Sequence, residues 1–145
     1  MLDESSTERL LPVDSIPDRW GDAVSAGFIA VPNILVKAQT RLDLSPIDIV
    51  VILNIIMHWW HRDRRPSPRS TAIAKRSGLG HRTVQRSLRR LEDRGLVRRI
   101  RIAKDKTEYK LDGLVDALEF YARQDVWYRP ELTSRALSGE AATPD

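Results

Sequence analysis

The sequence predicts a mainly α-helical fold that carries one small β-hairpin. Three observations lead to this prediction: a long apolar segment over 47–56, a helix with one basic face over 81–94, and an alternating segment over 96–111 with a polar turn in its middle. The basic helix follows the helical period, and the alternating segment follows the two-residue period of a strand. With 145 residues, of which 41% are hydrophobic, the chain is long enough for one domain with its own core and peripheral tails.

Three regions are predicted along the chain. Residues 1–26 are polar, with six acidic and two basic side chains, and we expect them to form a flexible N-terminal arm with one short turn near Trp20. Residues 27–124 are predicted to form the folded domain. Residues 125–145 are predicted to form a C-terminal tail.

The central helix has the strongest start signal in the chain. Ser45-Pro46-Ile47-Asp48 offers a hydroxyl cap, a proline at the first helical position and an acid at the third. We expect this helix to run to about Trp60, and its apolar residues surround it almost completely, which is typical of a buried core helix. Ahead of it, the sequence predicts a short strand over 28–31, closed by Pro32, and a short helix over 33–41.

The predicted helix over 81–94 has two opposed faces. Val84, Leu88 and Leu91 recur at helical spacing and form a narrow apolar face. The opposite face carries long hydrogen-bond donors: Arg82, Gln85, Arg86 and Arg89. An ordinary solvated helix face mixes both signs of charge, and this face does not. Gly95 follows as a stop signal, because a residue without Cβ tolerates the left-handed conformation.

A second predicted helix, over 70–77, stands directly before the basic one. Ile73-Ala74 precede Gly78 by five and four positions, and Val84 follows Gly78 by six. A small residue where two helices cross, a glycine in a tight turn and an apolar anchor on the next helix are the spacing of a helix-turn-helix.

The stretch Pro68 to Arg99 resembles the winged helix-turn-helix of bacterial and phage DNA-binding proteins. The family pattern reads Pro-Ser-x-x-x-Leu-Ala, then Gly-x-Ser-x-x-Thr-Val-x-x-x-Leu, then Leu-Glu-x-x-Gly-Leu. This chain departs from it at Arg69 and Gly80, where the family usually has serines that cap the two helices. The resemblance implies a mainly α fold with a small β wing, that is, a winged helix-turn-helix, here with an additional C-terminal helix.

The wing is predicted over the residues that follow Gly95. Leu96, Ile100 and Ile102 are expected on its inner face, with Arg99 and Arg101 facing outward. Residues 103–106 form the turn, and the inner face continues with Thr107, Tyr109 and Leu111. The last helix is predicted from Asp112, as its cap, to about Gln124, with Leu114, Val115, Leu118 and Tyr121 on one side.

The charge is distributed unevenly along the chain. Residues 58–104 contain fifteen Lys and Arg against three Asp and Glu, a net charge of +12, whereas the remainder has nine basic and seventeen acidic residues, a net charge of −8. A basic middle in an acidic frame indicates a polyanionic partner, either nucleic acid or an anionic membrane surface.

Double-stranded DNA is the partner that the resemblance implies. The basic helix would enter the major groove, with Arg82, Gln85 and Arg86 at base edges and the wing at the phosphates. The complete set of predicted DNA contacts is His81, Arg82, Thr83, Gln85, Arg86, Arg89, Arg90, Arg69, Arg99, Arg101, Lys104 and Lys106. For Arg94, pairing with Glu92 or Asp93 carries equal weight with a DNA contact.

Three functions are compatible with these features. The first is sequence-specific duplex binding by a bacterial or phage transcriptional regulator. The second is the DNA-binding domain of a plasmid or phage replication initiator, and the third, from another class, is a winged-helix protein-interaction module. The apolar surface of the central and last helices also suggests a symmetric homodimer, with the alternative that the last helix covers its own core.

Several other functions are not expected. Absence of cysteine excludes disulfides and thiolate zinc sites and fits a reducing cytoplasm. His58 and His61, with Asp63 close behind, lack further ligands at a recognisable spacing, so we expect no metal, no other cofactor and no enzymatic activity. The apolar run 47–60 is too short and too interrupted to span a membrane, and no signal peptide is expected. Trp59-Trp60 indicates packing, or in the alternative a stacking platform for single strands.

Overall fold

The computed structural model describes residues 14–132 and divides into two compact units between Ala30 and Val31. The first part of the predicted arm, residues 1–13, and most of the predicted tail, residues 133–145, lie outside the described residues. In the first unit, helix α1 (Ile16–Trp20) continues into a 3-10 helix (Gly21–Ala26), so the turn predicted near Trp20 is helical.

The short strand predicted over 28–31 is wrong. Residues 27–32 have no regular secondary structure, and the sheet of the described residues contains only the two strands of the wing. A strand is stable only when a neighbouring strand accepts and donates its backbone hydrogen bonds, and Pro32 has no N–H to donate.

The part of the second unit that the structure describes contains five α-helices and one hairpin. In chain order they are α2 (Asn33–Lys37), α3 (Pro46–Ile56), α4 (Ser70–Ser77), α5 (His81–Asp93), β1 (Arg98–Ala103), β2 (Lys106–Lys110) and α6 (Asp112–Gln124), followed by a 3-10 turn at Pro130–Leu132. This is the predicted fold class, a mainly α structure with a small β wing and an additional C-terminal helix. None of the helices within residues 14–132 is long and apolar enough to cross a membrane.

Helix α3 begins as the sequence predicts. Ser45 Oγ accepts a hydrogen bond from the Asp48 amide at 3.1 Å, and Asp48 Oδ2 accepts one from the Ser45 amide at 3.0 Å. The helix ends at Ile56 rather than near Trp60, because its last turn tightens: the Trp59 amide donates to the Ile56 carbonyl at 2.8 Å.

One apolar core joins α2, α3, α4, α5, the wing and α6. The predicted apolar face of α5 is wholly inside it, since Val84, Leu88 and Leu91 are at most 1% exposed. The core residues with the least exposure elsewhere are Leu35, Ala38, Val51, Ile52, Ile55, Ile73 and Val97. Burial of this face fixes the rotation of α5 and therefore determines which of its side chains point outward.

The inner face predicted for β1 is wrong by one residue. Arg99 pairs with Tyr109 across the antiparallel hairpin, and paired residues share a face. Tyr109 is buried, so Arg99 lies on the inner side of the wing, while Ile102 is 49% exposed. The prediction for β2 is confirmed at Tyr109 and Leu111, which are both 3% exposed.

The cause of this shift lies in the turn after α5. Gly95 has the left-handed conformation with φ 70°, and the amides of Leu96 and Val97 both donate to the Leu91 carbonyl. The consecutive side chains of Leu96 and Val97 are both buried in this turn. The alternation of inward and outward side chains along β1 therefore continues from Val97 rather than from Leu96.

Helix α6 ends at Gln124 as predicted, begins one residue earlier than predicted, and covers its own domain. Leu114 and Leu118 are buried, and Arg41 stacks over the ring of Tyr121 with 4.7 Å to the ring centroid. Asp112 is the first helical residue and not the cap, which is Leu111. Burial of this helix in its own unit was one of the two predicted roles for it, and the homodimer stays a prediction.

Candidate nucleic-acid interface

A tight turn joins α4 to α5. Gly78 has a left-handed backbone with φ 67°, and the Leu79 amide donates to the Ala74 carbonyl at 3.1 Å. Arg69 and Gly80 stand at the N-caps of the two helices without any side-chain capping bond, as expected from their departure from the family pattern. The buried Ile73 and Ala74 hold α4 against the core, so α5 is presented in a fixed orientation.

The outward face of α5 carries three unpaired guanidinium groups. Arg82, Arg86 and Arg89 are exposed, and none of them makes a hydrogen bond or ion pair with any residue between 14 and 132. Their spacing places them along one face over two helical turns, roughly 10 Å in length. These three side chains retain all their donors for an external partner.

Gln85 differs from the arginines beside it. Its Nε2 donates to Ser70 Oγ at 3.0 Å and lies 3.2 Å from His81 Nε2, and its Oε1 accepts from Arg99 Nη1 at 3.3 Å. The side chain is half-buried. Gln85 therefore links α4, α5 and the wing, and its amide is engaged within the protein.

Arg90 and Arg94 point back toward the core helix. Arg90 Nη2 donates to Asp48 Oδ1 at 2.6 Å, and Ser87 Oγ donates to the same oxygen at 2.7 Å. Arg94 donates to the backbone carbonyl of Asp43 and, at 2.9 Å, to its carboxylate. The partner of Arg94 is thus neither of the neighbouring acids that the sequence suggested.

The buried carboxylate of Asp48 stays ionised in this setting. Burial raises the pKa of Asp48. Hydrogen bonds from the Ser45 backbone, Ser87 and Arg90 together lower it by a larger amount, so the pKa lies below its ordinary value of 3.8. Sequence inspection identified Asp48 only as a helix-capping acid. Its second role depends on a partner 42 residues away.

The wing carries both paired and unpaired cations. Arg99 Nε donates to Glu92 Oε2 at 2.7 Å, which ties β1 to α5. Arg101 donates to the Lys104 carbonyl at 3.2 Å, and Lys106 lies 3.8 Å from Glu108. The Lys104 side chain has no ion pair within the described part of the chain.

An open groove of about 960 Å³ separates the start of α4 from the wing. Gln85 and Arg99 lie among the residues that line it. Polar and basic side chains dominate the remainder of the lining: Ser67, Arg69, Ser70, Thr71, Lys104, Lys106 and Thr107. Ser70 and Thr71 were missed by sequence inspection, because their only signal is that they begin a helix next to Arg69.

Helix α5, the turn before it and the wing together define a winged helix-turn-helix domain. Residues 42–97, which are fewer than half of the chain, match the family model described as a helix-turn-helix domain. Among curated proteins, no sequence matches this chain.

The solved structures that are similar to the chain include these two. One is the N-terminal domain of the DnaD protein from Geobacillus kaustophilus HTA426, with 20% identity, a TM-score of 0.54, and coverage of 86% of this chain and 97% of that one. At this identity the similarity supports a shared fold alone. The other is the transcriptional regulator PA3341, with 25% identity, a TM-score of 0.40, and coverage of 83% and 84%.

Proposed function

We propose that this protein binds double-stranded DNA sequence-specifically, with α5 in the major groove. The observation that carries the proposal is the row of three arginines, without partners among residues 14–132, on the outward face of the second helix of a helix-turn-helix. A guanidinium fork matches the O6 and N7 acceptors of guanine, and a helix fits the width of the major groove. These arginines are not needed to satisfy any acid within residues 14–132.

The predicted contacts separate into three groups. Arg82 and Arg86, in the first two turns of α5, are proposed to read base edges, because those turns approach the bases most closely in this class of domain. The proposed backbone contacts are His81, Thr83, Arg89, Arg69, Arg101, Lys104 and Lys106. Gln85, Arg90 and Arg99 are assigned to positioning the surface, since their polar atoms already contact Ser70, Asp48 and Glu92.

The biological role that we propose is transcriptional regulation in a bacterium or phage, without enzymatic activity. A replication initiator would bind duplex DNA through the same surface, so its role differs in the location of the binding site rather than in the chemistry. In either role the protein would act in the cytoplasm, where bacterial DNA is held. The free arginines favour DNA over a protein-interaction module, which has no need of them.

Selection of bound duplexes from a random pool tests this function. We expect enrichment of a motif that contains guanine. Titration of the selected duplex at several salt concentrations should then give a slope of log K against log salt of about −5. Arg123→Ala is a matched control, because Arg123 is exposed on α6 and its one ion pair among residues 14–132 is with Glu119 at 3.2 Å. Absence of any enriched motif, or a flat salt response, would contradict the proposal.

A further inference from the structure

The loop between α3 and α4 contains two adjacent tryptophans with different surroundings. Trp59 is half-buried and packs against the core, whereas Trp60 is 78% exposed. Its only ring neighbour among the described residues is His58, at 6.3 Å between centroids and a tilt of 53°. The core is therefore complete without Trp60, and most of the indole surface is open to solvent.

This loop is attached to the domain at both of its ends. On one side, the Trp59 amide donates to the Ile56 carbonyl at 2.8 Å. On the other side, Arg65 Nε lies 2.9 Å from Glu108 Oε1, and the Pro66 carbonyl accepts from the Tyr109 amide at 2.9 Å. Trp60 therefore projects from a segment that the core helix and the wing hold in position.

The loop is also strongly basic. Arg62 and Arg64 are exposed and form no ion pair with any residue that the structure describes, and Asp63 is the sole acid between 57 and 69. An exposed aromatic ring, followed in the chain by two guanidinium groups that form no ion pair within residues 14–132, suits the binding of single-stranded nucleic acid. The ring stacks on a base, and the cations neutralise the neighbouring phosphates.

The position of the loop favours DNA over other partners. Its last residues, Ser67, Pro68 and Arg69, line the groove between α4 and the wing, where the duplex backbone is proposed to lie. The exposed indole is thus joined through one short segment to the proposed duplex surface. Along the chain, the two arginines lie between the ring and the residues that line the groove.

We propose that Trp60, together with Arg62 and Arg64, binds an unpaired base of a DNA strand that continues from the duplex held by α5. The ligand class is a duplex with a single-stranded extension or a melted end. This inference rests on the proposed function, because the unpaired strand reaches the site only when the adjoining duplex is bound.

The test compares two labelled duplexes of the selected sequence, one blunt and one with a thymidine tail of about six nucleotides. The full chain is titrated with each duplex, tails at either end being tried in turn. We expect the tailed duplex to bind the unmodified protein roughly 5- to 150-fold more tightly, the range for stacking of one base. Trp60→Ala should remove this preference and leave blunt-duplex affinity unchanged, whereas Trp60→Phe should retain most of it.

Trp20→Ala is the matched control. Trp20 is also exposed, at 67%, but its segment combines Arg19 with Asp18 and Asp22 and has no excess of cations. Loss of the preference for the tailed duplex in Trp20→Ala would overturn the proposal. Equal binding of the blunt and tailed duplexes by the unmodified protein would also overturn it, and so would equal weakening of the two duplexes by Trp60→Ala. Failure of the unmodified protein to bind the blunt duplex would instead contradict the proposed function itself.

Discussion

Arg90 of α5 donates to Asp48 of α3 at 2.6 Å, and this ion pair connects the proposed DNA-reading helix to the start of the core helix. Asp48 is 1% exposed and simultaneously caps α3 through the Ser45 amide. The same carboxylate therefore sets the N-terminus of one helix and the rotation of another. This arrangement explains why an arginine on a basic helix is held away from the outward face.

Replacing Asp48 by Ala should destabilise the domain by about 2–4 kcal/mol, because Ser87 and the Ser45 amide would lose their buried acceptor. The guanidinium of Arg90 is partly exposed and can turn to water, which keeps the cost below that of a wholly buried pair. Urea denaturation measures the difference. Asp116→Ala, at an exposed position of α6, is the control and should change stability little; an equal effect of both substitutions would contradict the role of Asp48.

The stability of the domain should also depend on pH through Asp48. Its pKa is lower in the folded state than its ordinary value of 3.8, so the ionised form stabilises the fold above that value, and the contribution is lost as the pH falls through the lower folded pKa. Urea midpoints measured between neutral and acidic pH should therefore fall more steeply for the unmodified protein than for Asp48→Asn. Parallel curves of urea midpoint against pH for the two proteins would show that the Asp48 carboxylate does not contribute to the pH dependence of stability.

Gly113 should not tolerate a larger side chain. A Cβ at this position would overlap the backbone carbonyl of Gly95, and the neighbouring Leu114 amide donates to the Leu96 carbonyl at 2.9 Å. Gly113→Ala would force α6 away from the turn after α5, at an expected cost of about 2–4 kcal/mol.

Thermal unfolding provides the comparison for Gly113→Ala. Gly80→Ala is a suitable control, since its Cβ would meet only Thr83 Oγ1 at an ordinary 3.8 Å. We expect the control to cost no more than about 1 kcal/mol, the usual effect of alanine at an N-cap. Similar melting temperatures for the two variants would mean that α6 packs differently from the structure.

The helices were predictable from sequence where strong local signals agree. The bounds of α4 and α6 follow from periodicity and termination, and the buried face of α5 follows from Val84, Leu88 and Leu91. The facing of β1 was not predictable, because it depends on how many residues the turn after Gly95 buries. A single extra buried position reverses every side chain that follows in the strand.

The hydrogen-bond and ion-pair partners of long polar side chains were likewise not predictable from the sequence. Arg86 and Arg90 are both arginines on α5, yet one has no partner among residues 14–132 and the other reaches Asp48 of another helix. Gln85 fits the pattern of a base-reading residue, and only the position of Ser70 in space reveals that its amide is already engaged. Local spacing identifies the helix face, whereas tertiary packing decides which donors on it remain free.

The wing should contribute affinity without sequence preference. Replacing Lys104 by Ala removes an exposed cation that has no ion pair within residues 14–132, and phosphates are alike at every base pair. We expect weaker binding of cognate and scrambled duplexes by the same factor, and a salt slope shallower by about one. Salt titrations of both duplexes measure this, and a selective loss on the cognate duplex would assign Lys104 to sequence reading.

Base reading by α5 is tested most directly by titrating cognate and scrambled duplexes with the unmodified protein and with Arg86→Ala. Arg86 is exposed and free of partners in the described chain, so its removal should leave the fold intact. We expect a loss of about 1–3 kcal/mol on the cognate duplex, relaxed selectivity at one base pair and a much smaller change on the scrambled duplex. An equal loss on both duplexes would contradict the account, because it would make Arg86 a phosphate contact and leave α5 outside the recognition of sequence.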